Sequence, residues 1–315
     1  MNIENDWQQA TGPVPYKLTN DYLFRAVMQE NEEARKSLIA SVLGRETEDI
    51  LTAEILNPIE LGKTIDSKDY ILDVKVEVNK NEILNLEMQV VNENNWPERS
   101  LGYLCRTFDN LNVGDDYLKV KPAHLVSFLD FTLFPENNSY LSKYKLTNQE
   151  NYKEIYTDKF TITVVNLRKT DKATDKDIDV GLQNWGSFFK AESWEEVKML
   201  ATKNENIENA AKSMFLISQD ALIREQCERR EGRIRAEQIK QQWYEQAVAE
   251  KEQAVAAVAE KERALADKDQ VIADKDQALA DKDRALADKD QALADKDREL
   301  AALKEQLNKL VSGQM

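Results

Sequence analysis

Residues 69–91 read DYILDVKVEVNKNEILNLEMQVV, and this stretch decides the fold. Two runs of alternating apolar and polar residues, Asp69 to Val78 and Glu82 to Val91, flank Asn79-Lys80-Asn81, the pattern of a β-hairpin with a short turn. With a period of two, Leu72, Val74, Val76 and Val78 share one side of the first strand and Ile71, Asp73, Lys75 and Glu77 the other. In the second strand Leu84, Leu86, Met88 and Val90 alternate with Ile83, Asn85, Glu87, Gln89 and Val91. A three-residue loop pairs Val78 with Glu82 and sets Asp73 opposite Glu87 on one face, with Cβ atoms about 5 Å apart. Two like charges in that position are unfavourable unless a cation lies between them. A divalent ion with oxygen ligands would supply it, and Mg²⁺ characteristically takes one or two carboxylates together with water and substrate phosphate. From spacing alone, the pair reads equally well as two acids solvating an exposed sheet face.

Outward from the hairpin, the elements alternate. Asn20 to Gly44 carries a helical stripe of Leu23, Val27, Leu38, Ile39 and Val42 ending at a glycine, as one helix or as two pieces parted near Glu30 to Glu32. Residues 52–61 read as a short strand broken by Pro58. Beyond the hairpin, Pro97 to Asn112 is an amphipathic helix, Val120 to Phe134 and Phe160 to Leu167 are strands, and 182–231 forms two or three helices. This order predicts an α/β fold, a mixed central sheet flanked by helices.

The C-terminal part is of another kind. All six prolines fall within the first 135 residues, and neither Gly nor Pro occurs between Gly232 and Gly313. Such a run of Ala, Glu, Lys, Asp, Gln and Leu predicts one projecting helix of roughly 120 Å. Its repeat, ALADKDQ or ALADKDR, sets Leu265, Ile272, Leu279, Leu286, Leu293, Leu300 and Leu307 in one heptad row. Leu303 and Leu310 fill the second row at the end. Upstream that row falls on Lys268, Lys275, Lys282, Lys289 and Lys296, so the coiled coil is held by a single apolar row and is weak. Val248, Val255 and Val258 mark a three-residue phase slip. A solvated spacer or homodimerising stalk is the reading. The chain thus divides into a core at 1–170, a helical extension at 171–231 and the long heptad helix at 232–315.

Composition narrows the chemistry. The 315 residues carry 43 Lys plus Arg against 58 Asp plus Glu, a net charge of −15, and residues 1–231 account for −12 of it. This balance argues against sequence-blind clinging to nucleic acid over the whole surface, which needs many cations, but leaves room for a local basic groove. His124 is the only histidine, so paired-imidazole metal sites and HExxH hydrolases are excluded, and a core histidine is its expected role. Cys105 and Cys227 cannot build a disulfide framework or a four-cysteine zinc site. The N-terminus is polar and acidic, and no apolar run is long enough for a membrane span, which predicts a soluble cytoplasmic protein. Neither GxxxxGK[ST] nor GxGxxG occurs.

Asp73, thirteen residues, then Glu87-Met88-Gln89 resembles the PD-(D/E)xK nuclease superfamily. The stretches LTNDYLFRAVM (18–28), YILDVKVEVNKNEILNLEMQ (70–89) and ERSLGYLCRTFDNLNVGDDYLKVKPAHLVSFLDFTLF (98–134) are similar, more narrowly, to the recombination-promoting nuclease (Rpn) and transposase family, over about residues 17–230. The resemblance implies a restriction-endonuclease-like core and a metal-dependent DNA endonuclease that promotes recombination or acts on mobile or foreign DNA. It implies Asp73 and Glu87 as metal ligands with the Met88 carbonyl as a third, for Mg²⁺ or Mn²⁺, and Gln89 in the place of the superfamily's lysine. A glutamine orients water by hydrogen bonds but brings no charge, so slow or conditional activity is expected.

On the helix after the motif, Arg99, Tyr103 and Arg106 recur at spacings of four and three, suited to phosphate contacts or, equally, to surface ion pairs with Glu98 or Asp109. Asp21 and Arg25 match the family's first-helix signature, Asp21 as an orienting, capping or outer-shell acid. The alternative function is a nuclease fold with weak or no catalysis, a DNA-binding or assembly module that uses the coiled coil for dimerisation or partner recruitment.

Overall fold

A computed structural model describes residues 7–57, 59, 60, 70, 71 and 73–312. Pro58, Asp69 and Leu72, with the beginning of the expected hairpin strand, lie outside the described residues. Two helices open the fold, α1 (Asp21–Glu30) and α2 (Glu32–Leu43). Asn31 separates them: its extended backbone (φ −108°, ψ 102°) ends α1, while its side chain accepts from the Ala34 amide at 2.8 Å and starts α2. Gly44, left-handed at φ 72°, closes α2. The strands and helices that follow are β1 (Ala53–Ile55), β2 (Ile59–Glu60), β3 (Tyr70–Ile71), β4 (Val74–Val78), β5 (Glu82–Gln89) and α3 (Trp96–Phe108). Next come β6 (Ala123–Leu129), β7 (Leu141–Thr147) and β8 (Ile155–Asn166). The chain ends in α4 (Asp175–Asp179), α5 (Leu182–Lys190), α6 (Trp194–Ala201), α7 (Glu205–Gln219) and α8 (Ala221–Ser312).

Six strands form one mixed sheet in the order β1-β4-β5-β6-β8-β7, while β2 and β3 pair separately. β4 is antiparallel to β5 with Val78 opposite Glu82, the register the turn residues predict. Asn79 and Lys80 take positive φ (49° and 60°), the twisted turn that a tight hairpin requires. Asn79 is further tied by its side chain to the Thr52 amide and the Asp49 carbonyl. β5, β6 and β8 run parallel.

Each sheet face has its own core. Val74, Val76, Val78, Leu84, Leu86, Met88, Val126 and Phe128 pack against α1, α2, α5 and α7. Ala123, Leu125, Leu129 and Val164 pack against Trp96, Tyr103 and Leu104 of α3. β5 is buried along its whole length although it carries Glu82, Asn85, Glu87 and Gln89. At its start, Glu82 is held by Arg45 and lies 3.3 Å from His124 Nε2. His124 therefore serves the core, at the opposite end of β5 from Glu87.

Several boundaries depart from the sequence reading. β7 was not anticipated: an edge strand with mostly exposed residues lacks the apolar alternation that marks a strand. β8 begins five residues before Phe160, where its pairing with β7 outruns the rest of the sheet. The long helix begins at Ala221 rather than at Gly232, because a single glycine among strong helix formers costs only about 1 kcal/mol. The chain separates into two compact units, Met1–Gln242 and Trp243–Met315. In the first, Cys227 and Ile234 of α8 are buried. In the second, the leucines of the heptad row are all exposed by more than half.

Candidate active site

The open end of the β4/β5 hairpin brings Asp73 and Glu87 together. The Asp73 amide donates to Glu87 Oε1 at 3.2 Å, and the Met88 amide donates to Asp73 Oδ2 at 2.8 Å. Asp73 is half-buried as a residue, with its carboxyl turned inward onto Met88, while Glu87 is fully buried. Glu87 is therefore no solvating acid on an exposed face. Asn85 Nδ2 donates to Glu87 Oε1 at 3.2 Å, and Gln89 Nε2 lies 3.4 Å from Glu87 Oε2. Gln89, itself buried, is thus engaged with the carboxylate in the structure.

Burial first, and then the charge of Asp21, push the Asp73 carboxyl up to about 7, against which Arg25 and Arg99 act in the opposite sense. Glu87 is raised well above the usual carboxylate range, first by burial and then by Asp73. Two buried acids that resist ionising side by side form an environment that a cation would relieve.

The donors fit a hard divalent ion: two carboxylates, and a Met88 backbone that faces Asp73 across the hairpin. Two further oxygens, Asn85 Oδ1 and Ser127 Oγ, are buried without a hydrogen-bond partner among the described residues, and Ser127 stands opposite Glu87 in the parallel ladder. Oxygen atoms left unsatisfied at 0 % exposure beside a carboxylate are where bound water or an ion is expected. No group of three or more His, Cys, Asp or Glu side chains suited to holding a metal occurs among the described residues, so main-chain oxygen and water would complete the shell.

Helices on both sides complete the site. Arg99 of α3 lies over the rings of Trp96 (5.5 Å) and Tyr103 (5.3 Å), which meet edge to face, and donates to the Tyr103 hydroxyl at 2.7 Å. Its charge reaches both Asp73 and Glu87. Tyr103 is buried, so it holds Arg99 from within. Arg106, two turns along α3, is not among the main influences on either acid. From the α1 side, Arg25 stacks on Tyr22 at 5.0 Å and borders an open groove between α1 and α7. Asp21 is paired with Arg230 of α8.

Of the residues singled out in the sequence, the structure brings Asp73, Glu87, Met88 and Gln89 into contact and pairs Asp21 with Arg230; Arg230, Asn85 and Ser127 were not singled out as neighbours. Asn85 carried a usable signal, an amide two residues before Glu87 in an otherwise apolar run. Arg230 carried none, standing 209 residues from its partner.

A mixed sheet with helices on both faces and a buried acidic pair at the end of its central hairpin is an α/β fold of the nuclease-like class. The chain belongs to the PD-(D/E)XK nuclease family transposases, whose family model matches residues 18–243. Nucleases of this kind generally use divalent metal ions and act on DNA. Searches of curated proteins and of solved structures found no match. No described helix is long and apolar enough to cross a membrane.

Proposed function

We propose that the protein is a metal-dependent DNA endonuclease that hydrolyses phosphodiester bonds in recombination or in attack on mobile or foreign DNA. The observation that carries this reading is the buried pair of Asp73 and Glu87, both held above the usual carboxylate range within family context. Asp73, Glu87 and the Met88 carbonyl would hold Mg²⁺ or Mn²⁺, which when bound would acidify water and offset charge at phosphorus. Gln89, donating to Glu87, orients that carboxylate and can pass a hydrogen bond to a nearby water. Arg99, fixed by Trp96 and Tyr103, and Arg106 supply local positive charge for phosphates in an otherwise acidic protein. The test is nicking of supercoiled plasmid in Mg²⁺ or Mn²⁺. Activity abolished by chelation and by Asp73→Ala or Glu87→Ala supports the proposal, and activity unchanged in both variants rules it out.

Gln89 favours a second reading, a nuclease fold with little catalysis that binds DNA or assembles with partners. The exposed heptad row from Leu265 to Leu307 supports homodimerisation in either case. In this scheme residues 1–170 form the nuclease-like core, 171–231 a helical extension and 232–315 the association helix. The free thiols Cys105 and Cys227 are in keeping with a reducing cytoplasm.

A further inference from the structure

A chain of three contacts links the acidic pair to an arginine outside it. Gln89 Nε2 lies 3.4 Å from Glu87 Oε2, the Asp130 amide donates to the Gln89 carbonyl at 2.8 Å, and Arg168 Nε lies 3.7 Å from Asp130 Oδ1. Asp130 directly follows β6 and Arg168 stands just past the end of β8. Both are at the sheet end where Glu87 lies, because Glu87, Ser127 and Val164 are level across β5, β6 and β8. The ends of β5 and β6 are one strand spacing, about 5 Å, apart. In open sheets with parallel strands, ligands bind outside the C-terminal ends of those strands.

The backbone that carries Arg168 is firmly mounted. Arg168 lies in a 3₁₀ turn, Leu167–Lys172, whose first residue is fully buried. The Asn166 side chain accepts from the Arg168 amide at 3.1 Å, while Lys190 Nζ and Thr170 Oγ1 donate to the Leu167 carbonyl at 3.1 and 2.8 Å. The Arg168 side chain, by contrast, is 60 % exposed, and at that exposure a single contact of 3.7 Å holds it weakly. A cation is thus presented to solvent from a fixed base, ready to exchange Asp130 for another anion. Residues 167–172 carry three cations against one acid, in a part of the chain that is otherwise acidic.

We propose that Arg168 binds a backbone phosphate of DNA that flanks the phosphate at the acidic pair, and that it exchanges Asp130 for it. The inference rests on the reading that the protein acts on DNA, and it holds whether or not the DNA is cut. A phosphate matches the planar guanidinium fork and takes two parallel hydrogen bonds, where Asp130 takes one loose contact. Asp130 holds Arg168 at the rim until DNA arrives, and competes with the phosphate for it. Arg168 therefore guides the backbone across the end of β6 towards Glu87.

Fluorescence anisotropy of a labelled DNA duplex with the full chain, in Ca²⁺ and in chelator over a series of salt concentrations, tests this. Arg168→Gln is expected to bind about tenfold more weakly, with the fall of log affinity against log salt less steep by about 0.9, the share of one phosphate. Arg168→Lys, which keeps the charge, is expected to recover part of the loss. Asp130→Asn, which removes the competitor, is expected to bind about threefold more tightly or better, a gain that loss of a merely structural contact does not produce. Lys153→Gln and Glu150→Gln make the same charge changes on exposed residues between β7 and β8, at the opposite end of the sheet, and are expected to stay within about twofold of wild type. A loss in Arg168→Gln no larger than in Lys153→Gln, or affinity in Asp130→Asn no higher than in Glu150→Gln, overturns the proposal. A wild-type chain that binds the duplex in neither condition overturns the DNA reading itself, so the two failures are told apart.

Discussion

Asp73 and Glu87 face one another across the hairpin, joined by the Asp73 amide at 3.2 Å from Glu87 Oε1, and neither acid ionises easily in the other's presence. The same relationship that suits a cation makes the metal-free fold uneasy at neutral pH. The Asp73 carboxyl sits at about 7 in the fold against 3.8 when free, so the folded state keeps a proton that the unfolded chain has released. The contribution of Asp73 to the stability of the metal-free protein is therefore most favourable below the free value and falls as pH rises towards about 7. Asp73→Asn is expected to flatten that dependence and to raise the melting midpoint at pH 8, by about 2–4 °C for each kcal/mol relieved. Thermal unfolding in chelator from pH 4.5 to 8 measures it, and an unchanged slope in Asp73→Asn counts against the account.

Gln89→Lys would put an ammonium where Gln89 Nε2 now lies 3.4 Å from Glu87 Oε2. A fixed cation stabilises developing negative charge at phosphorus better than an amide does. If the site is catalytic, single-turnover cleavage should quicken by about tenfold or more. No change in rate would favour the non-catalytic reading.

Glu82 gives the opposite pH dependence to the acidic pair. Burial works against its charge, but hydrogen bonds and charge from His124 and Arg45 prevail and hold it down to about 2, against 4.5 when free. Its contribution is fully present above about 4.5 and is lost as pH falls through about 2. Glu82→Gln should cost about 1–2 kcal/mol at pH 7, since it removes the charged acceptor of the partly exposed Arg45 and His124. The loss should shrink in acid, which denaturant melts at pH 7 and pH 3 would show.

In the second unit, lysines at 268, 275, 282, 289 and 296 interrupt one of the two seam rows. Replacing all five by Leu completes the seam and should produce a tight coiled coil, seen by sedimentation as dimers or larger assemblies at micromolar protein. Unchanged mass would mean that this helix does not associate through the heptad row.

What the sequence made legible follows from how local its causes are. The period of two and the turn at Asn79-Lys80 fix the β4/β5 register, and with it the meeting of Asp73 and Glu87. Asn31 and Gly44 end helices through their own backbone and side chain, so the helical pair was readable within a residue or two. β7 was not, because an edge strand needs no apolar face, and its partner β8 supplies the order. Arg230 was invisible because nothing near it in sequence distinguishes a helix arginine that meets Asp21 from one that meets water. Ser127, a polar residue within an apolar strand, is the residue opposite Glu87, a pairing that only the parallel register of β5 and β6 reveals.

The most direct measurement of the central claim is proton release when the metal binds. At pH 6.5 Asp73, pushed up to about 7 beside Glu87, still holds much of a proton that a divalent cation must displace. Mn²⁺ titrations of the full chain in two buffers of different ionisation enthalpy should show protons released on binding at pH 6.5, and little or no binding by Asp73→Asn or Glu87→Gln. Binding without proton release, or binding that survives both substitutions, would contradict a cation site built on this pair.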